Sequence, residues 1–217
     1  MRNIALAGAM GALVTAGFAS AAVNGVEIDH LGNNGNGETY RMYVTVDAGE
    51  QVNAVFGNAN PLSIGTADGM SFYQNPLGGN TSTAINSAFF LLAPSLEWDS
   101  YVTIGALYAG SDNGLLDVGI DWSGFSGGGE LATSDGSWFA IPGDAQCFED
   151  GGRVLIGQFT VVGGTGDGYS DLTGVINVQG KDADGNTWQS TGINWIPAPG
   201  ALALLGVAGL AGRRRRR

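Results

Sequence analysis

One histidine, one cysteine and twenty carboxylates are what this chain offers for acid–base, nucleophilic or metal chemistry. His30 stands just ahead of a Gly/Asn-rich stretch, and no Ser elbow motif occurs for an imidazole to serve as base, so the spacing predicts a solvated turn histidine. Cys147 has Asp144, Glu149 and Asp150 close by in sequence, and negative neighbours raise a thiol's pKa, which predicts a partly buried structural thiol and not a nucleophile. Two carboxylate pairs, Glu97 with Asp99 and Asp117 with Asp121, have the residue types of a glycosidase acid/base set. Glu97-Trp98-Asp99 in an extended strand would place both acids on one face, but the third acid of a sandwich glycosidase motif is absent, and twenty acids produce such pairs by chance. No catalytic residue is assigned, and the expectation is a protein that is not an enzyme.

Metal binding rests on one turn. Asp182, Asp184 and Asn186 set three oxygen ligands at alternate positions, as the opening of a calcium loop does. Thr187 stands where an EF-hand loop has Gly and Ile193 where it has its bidentate Glu, so a hairpin turn rich in turn-formers is the competing reading. Calcium at these three residues is the one cofactor expectation. The run 163–168, Gly-Gly-Thr-Gly-Asp-Gly, has the flavour of a nonapeptide calcium repeat, but a single copy cannot stack and reads as a loop. Five Trp, at 98, 122, 138, 188 and 195, could either fill a core or offer stacking faces to sugar rings.

Charge narrows the partners. The formal net charge of the 217 residues is −11, but the basic side chains are concentrated at the ends: Arg2, and the run Arg213 to Arg217. Between Val23 and Ile196 three basic residues, Arg41, Arg153 and Lys181, face all twenty acids, a formal −17. Nucleic acid is excluded as a partner, because phosphate binding needs a basic face. A single Cys also excludes an intramolecular disulfide framework and any multi-thiolate metal site.

The ends read as processing signals. Arg2, an apolar run from Ile4 to Phe18 and the small-residue exit Ala19-Ser20-Ala21-Ala22 make a secretory signal peptide over residues 1–22, cleaved after Ala21 or Ala22 and implying the Sec machinery and signal peptidase as partners. At the other end, residues 196–217 read Ile-Pro-Ala-Pro-Gly, about a dozen apolar residues, then five Arg. Pro197 and Pro199 keep a helix from starting earlier. The run is short for a bilayer core of about 30 Å, and the Arg block would stay cytoplasmic.

This tail, IPAPGALALLGVAGLAGRRRRR, resembles the PEP-CTERM sorting signal of Gram-negative bacteria, in the Pro-Ala-Pro-Gly form found in planctomycete-like proteins. The resemblance implies that Pro197, Ala198, Pro199 and Gly200 form a recognition motif, that a short transmembrane helix follows, and that Arg213, Arg214, Arg215, Arg216 and Arg217 form the stop, read together by an exosortase-type membrane protease. Ala198 departs from the commoner Glu, which bears on the sortase subtype. The resemblance further implies export to the cell surface or extracellular matrix, with the membrane touched only through the C-terminal helix before processing.

What must hold these residues is a β domain over 23–195. Period-2 alternation of β-formers predicts strands at 40–46, 51–56, 101–107, 154–162 and 174–179, and a last hairpin with its turn at 182–186. Five Asp-Gly and four Asn-Gly pairs supply turn residues that tolerate positive φ. No long segment of helical periodicity competes. The expected fold is all-β, a single sandwich, jelly-roll-like or immunoglobulin-like, between an N-terminal signal helix and a C-terminal membrane helix. The expected role is structural or adhesive at the cell surface or in the matrix. The alternative is a carbohydrate-binding module for exopolysaccharide, calcium-assisted through Asp182, Asp184 and Asn186.

Overall fold

Alternation along Glu38–Thr45 sends Tyr40, Met42 and Val44 fully inside while Arg41, Tyr43 and Thr45 stay half-buried on the other face, so this segment is a strand with one core side. A computed structural model of the chain describes residues 23–195. Its strands, in order, are β1 (Gly25–Asn33), β2 (Glu38–Thr45), β3 (Gln51–Phe56), β4 (Leu62–Thr66), β5 (Ser71–Phe72), β6 (Tyr101–Val102), β7 (Leu116–Val118), β8 (Leu131–Thr133), β9 (Ser137–Phe139), β10 (Arg153–Val162), β11 (Leu172–Lys181) and β12 (Thr187–Ile193). Two one-turn helices, α1 (Ser123–Ser126) and α2 (Gly168–Asp171), interrupt them.

They form two antiparallel sheets. In the first, β2 lies between β1 and β10, and the far edge of β10 pairs with β6 at Gly157–Gln158 and with β5 at Val161–Val162. In the second, β11 pairs with β12 and with β3 from Asn177 to Lys181, and with β4 from Leu172 to Val175. β3 and β4 thus follow one another along β11 as two halves of one line, broken at 57–61. The line beyond repeats the break, with β9 against β3 and β8 against β4, and β7 closes the edge against β9. Asn177 bridges the gap, its amide donating to the carbonyls of Phe56 and Asn60.

One apolar cluster joins the sheets. Met42, Val44, Ile156, Phe159 and Val161 from the first meet Val52, Val55, Ile64, Trp138, Ile176 and Val178 from the second, all fully buried. The hydrophobic effect over this shared face is what holds the layers together.

The stretch 73–115 departs from the strand prediction. Only Tyr101–Val102 of the predicted 101–107 is strand; the amides of Thr103 and Gly105 still donate to Ile156 and Leu155, after which Gly105, at φ +67°, turns the chain away. The rest of this insertion is 3-10 turns, including Pro94–Trp98, so Glu97 and Asp99 do not share a strand face. It builds a second small core from Ile85, Leu96 and Tyr101, packed by Phe90, Ala93 and Tyr108. It also covers much of the outer face of the first sheet, where Gln158 is fully buried and donates to the carbonyls of Glu97 and Asp99.

No helix among the described residues is long and apolar enough to cross a membrane. The expected signal helix and the expected C-terminal helix lie outside the described residues, as do Ala19, Ala21 and Ala22, the motif Pro197, Ala198, Pro199 and Gly200, and Arg213 to Arg217.

Candidate functional site

The insertion leaves one end of the outer sheet face open, and a groove of about 910 Å³ forms there. Its floor comes from cross-strand neighbours: Glu27 of β1 opposes Tyr43 of β2, which opposes Leu155 of β10. Leu107, Asp112, Gln146, Phe148 and Asp150 also line it. Arg153 is the cation in it. Its guanidinium lies 4.0 Å over the Tyr43 ring and pairs with Glu27 at 3.2 Å and Asp29 at 3.0 Å, which raises its pKa further through the Asp29 bond first. Gln146 accepts from the Gly114 amide at 2.8 Å, while its own amide nitrogen has no protein partner. Phe148 is substantially exposed beside it. A groove with apolar faces and a fixed guanidinium has the make-up of a binding site.

A second polar cluster lies where the chain passes from β10 to β11. Asp171 is fully buried and accepts from Tyr40 Oη at 2.5 Å, the Thr165 amide at 2.6 Å and Thr165 Oγ1 at 2.7 Å, with the Gly166 amide at 3.3 Å. Burial alone would raise its pKa, yet these donors, Tyr40 first, bring it below the ordinary carboxylate value. Burial and the carboxylate push the Tyr40 phenol far up, so it stays a donor. Gly166, at φ +90°, lets its amide reach the Tyr40 oxygen at 3.0 Å. His30 sits at the rim. It is in β1 and not in a turn, opposite Tyr40, with Nε2 2.7 Å from Glu38 Oε2. Hydrogen bonds from Asn33 and His30 lower the Glu38 pKa.

Asp99 is the other fully buried acid. It accepts only backbone amides, from Asn75 at 2.6 Å, Ser100 at 3.0 Å and Gly79 at 3.1 Å, and burial pushes its pKa up to about 6. It fastens the loop 75–79 to the insertion.

The remaining sequence candidates are scattered. Asp182 Oδ1 accepts the amides of Asp184 and Asn186, and Oδ2 accepts the Asn186 side-chain amide, bonds that lower its pKa, Asn186 first. The turn thus organises itself around one of the three proposed calcium ligands. Among the described residues no group of three or more His, Cys, Asp or Glu converges. Cys147 is fully buried, Sγ 3.5 Å from the Ile141 carbonyl, and burial raises its pKa, with Asp144 a lesser contributor. Asp117 accepts from Trp122 Nε1 at 3.2 Å, and Asp121 caps Ser123 at 2.9 Å, so that pair serves its own turn. Trp138, Trp188 and Trp195 belong to the core, and Trp98 and Trp122 are half-buried.

The groove escaped sequence reasoning because its walls come from segments up to 128 positions apart, Glu27 to Leu155, with no local motif. Comparison with protein-family models, curated proteins and solved structures finds no match to this chain.

Proposed function

We propose that the chain is an exported ectodomain, delivered to the cell surface or extracellular matrix by its signal peptide and exosortase-read tail, and acting there by adhesion and not catalysis. What supports adhesion is the disposition of the polar groups. The two fully buried acids, Asp99 and Asp171, are sealed inside as hydrogen-bond acceptors of the scaffold, while the open groove carries faces suited to holding a ligand. In this reading the sandwich is immunoglobulin-like and not a jelly roll. The support is that, of the five places where the chain changes sheet, β2 to β3 and β10 to β11 lie side by side, each strand pairing with its counterpart, while β1 and β12 close an outer edge of each sheet as hairpin partners.

A second reading, binding of exopolysaccharide with or without calcium, is favoured by Tyr43, Phe148, Gln146 and Arg153 sharing one groove. One experiment separates the two. The native protein is purified from its producer, its intact mass is taken, and its binding to the producer's own polysaccharide is measured with and without calcium. A species starting near Val23 and lacking the Arg run supports sorting, and a retained Arg run overturns it. Saturable binding selects the glycan reading; its absence, with self-assembly, selects the structural one.

A further inference from the structure

Leu91 and Leu92 are 94% and 84% exposed, with Phe89 at 50% and Leu77 at 66% on the same insertion. Two consecutive large side chains so open occur only at a convex tip, because a flat or concave surface covers one of any two neighbours. The tip is braced from behind. Phe90 turns inward onto the small core and meets Tyr108 edge-on at 5.1 Å, the amides of Leu92 and Ala93 both donate to the Phe89 carbonyl, and Asn86 caps Ala88. The tip's own stretch of chain is uncharged: from Gly69 to Leu96 there is no Asp, Glu, Lys or Arg, in a body that otherwise carries twenty acids, and the nearest charges shown, Arg41 and Glu97, act on Tyr108 behind it.

We infer that the tip Phe89–Leu92 inserts into an uncharged or zwitterionic lipid surface. An exposed apolar tip needs either a matching cavity or a soft apolar medium, and an uncharged flanking stretch is what allows close approach to a neutral headgroup layer. An anionic surface is disfavoured by the formal −17 of the body, and a second copy brings that same charge. The groove of a second copy is also a poor seat for two leucines, since it carries Glu27, Asp112, Asp150 and Arg153.

The test uses the exported, processed protein, free of the signal peptide and the sorting tail whose apolar and Arg runs would bind vesicles themselves, with an environment-sensitive dye on Leu91→Cys, which is selective because the one native thiol, Cys147, is buried. The control carries the dye on Asp184→Cys, in the β11–β12 turn of the other sheet. Phosphatidylcholine vesicles should shift the dye at 91 to the blue and leave the dye at 184 unmoved. Added salt should not weaken the effect, and anionic lipid should reduce it at low salt. Leu91→Asp with Leu92→Asp, at positions too exposed to affect folding, should lower vesicle partition about tenfold or more. No shift at 91, equal shifts at both positions, or a double variant that loses only self-association would each overturn the inference.

Discussion

Asp99 and Asp171 are the same residue and neither is exposed to solvent, yet Asp99 lies deeper and their pKa values move in opposite directions. Asp171 closes the passage from β10 to β11 and is met by side-chain donors as well as amides, from Tyr40 across the sheet and Thr165 in the loop. Asp99 sits in the irregular insertion, where only backbone amides reach it. Burial penalises both charges, Asp99 the more because it lies deeper, and it is offset there by three backbone amides, against two amides and two hydroxyls at Asp171. A regular sheet presents a tyrosine hydroxyl at a fixed register, while a loop offers only its own amides. The sheet region can therefore hold a full negative charge inside, and the insertion holds one at a cost.

The largest expected effect is at the sheet. Asp171→Ala leaves the Tyr40 hydroxyl and the Thr165 amide and hydroxyl without their acceptor, while the Gly166 amide keeps the Tyr40 oxygen, and should destabilise the full chain by about 3 kcal/mol or more in urea unfolding. A loss under about 1 kcal/mol would remove the distinction between the two sites.

Next comes pH. Between 3.8 and about 6 the folded chain keeps a proton on Asp99 that the unfolded chain has released, so stability falls as pH rises through that window and returns on acidification, by an amount on the order of 3 kcal/mol. Asp171 works the other way. Its stabilisation is complete above the ordinary aspartate value of 3.8 and is lost as pH falls below it. Urea midpoints at successive pH values should rise toward mild acid and then collapse. Because relief of self-repulsion adds to the rising limb, the comparison is with Asp99→Asn, which should lack the Asp99 share; identical limbs would contradict it.

Smaller is Tyr40→Phe, expected to cost about 1–2 kcal/mol and to move the acid collapse to higher pH as Asp171 loses its first donor. Smallest is Asp99→Asn at pH 7, expected within about 1 kcal/mol of the parent, since relief of a desolvated charge offsets a lost acceptor.

How much of this was legible in the sequence follows the same division. β2 and the final hairpin were readable because one face is core and the other is not, which writes itself as alternation, while β10, covered on both faces, was readable as a long run rich in Val, Ile, Leu and Phe. β1 was not: it is an edge strand with Glu27, Asp29 and His30 outside and a bulge between His30 and Gly32, so no apolar period marks it. The run 101–107 misled because its apolar residues answer to two cores, Tyr101 to the small one and Val102 and Ile104 to the large. The Asp171 cluster left no local trace, since Tyr40 lies 131 positions away. Only the pairing of β2 with β10 brings them together. The apolar tip needed no alternation to be seen, but without the insertion's own core there was no reason to expect it outside.

The strand order also sets a schedule. The inner strand β10 of the first sheet and the inner strand β11 of the second both come from 153–181, near the end of the domain, while their partners β2 and β3 lie before residue 57. A chain emerging from its N-terminus can close hairpin β1–β2 and, by residue 139, the outer pairings β3–β9, β4–β8 and β7–β9, but neither sheet has its inner strand until that last third arrives, and then both layers complete together across the Asp171 crossing. Such distant pairing makes folding slow and late. The domain remains an open chain for most of the time it takes to be made, which is the condition in which a polypeptide can be threaded through a narrow channel.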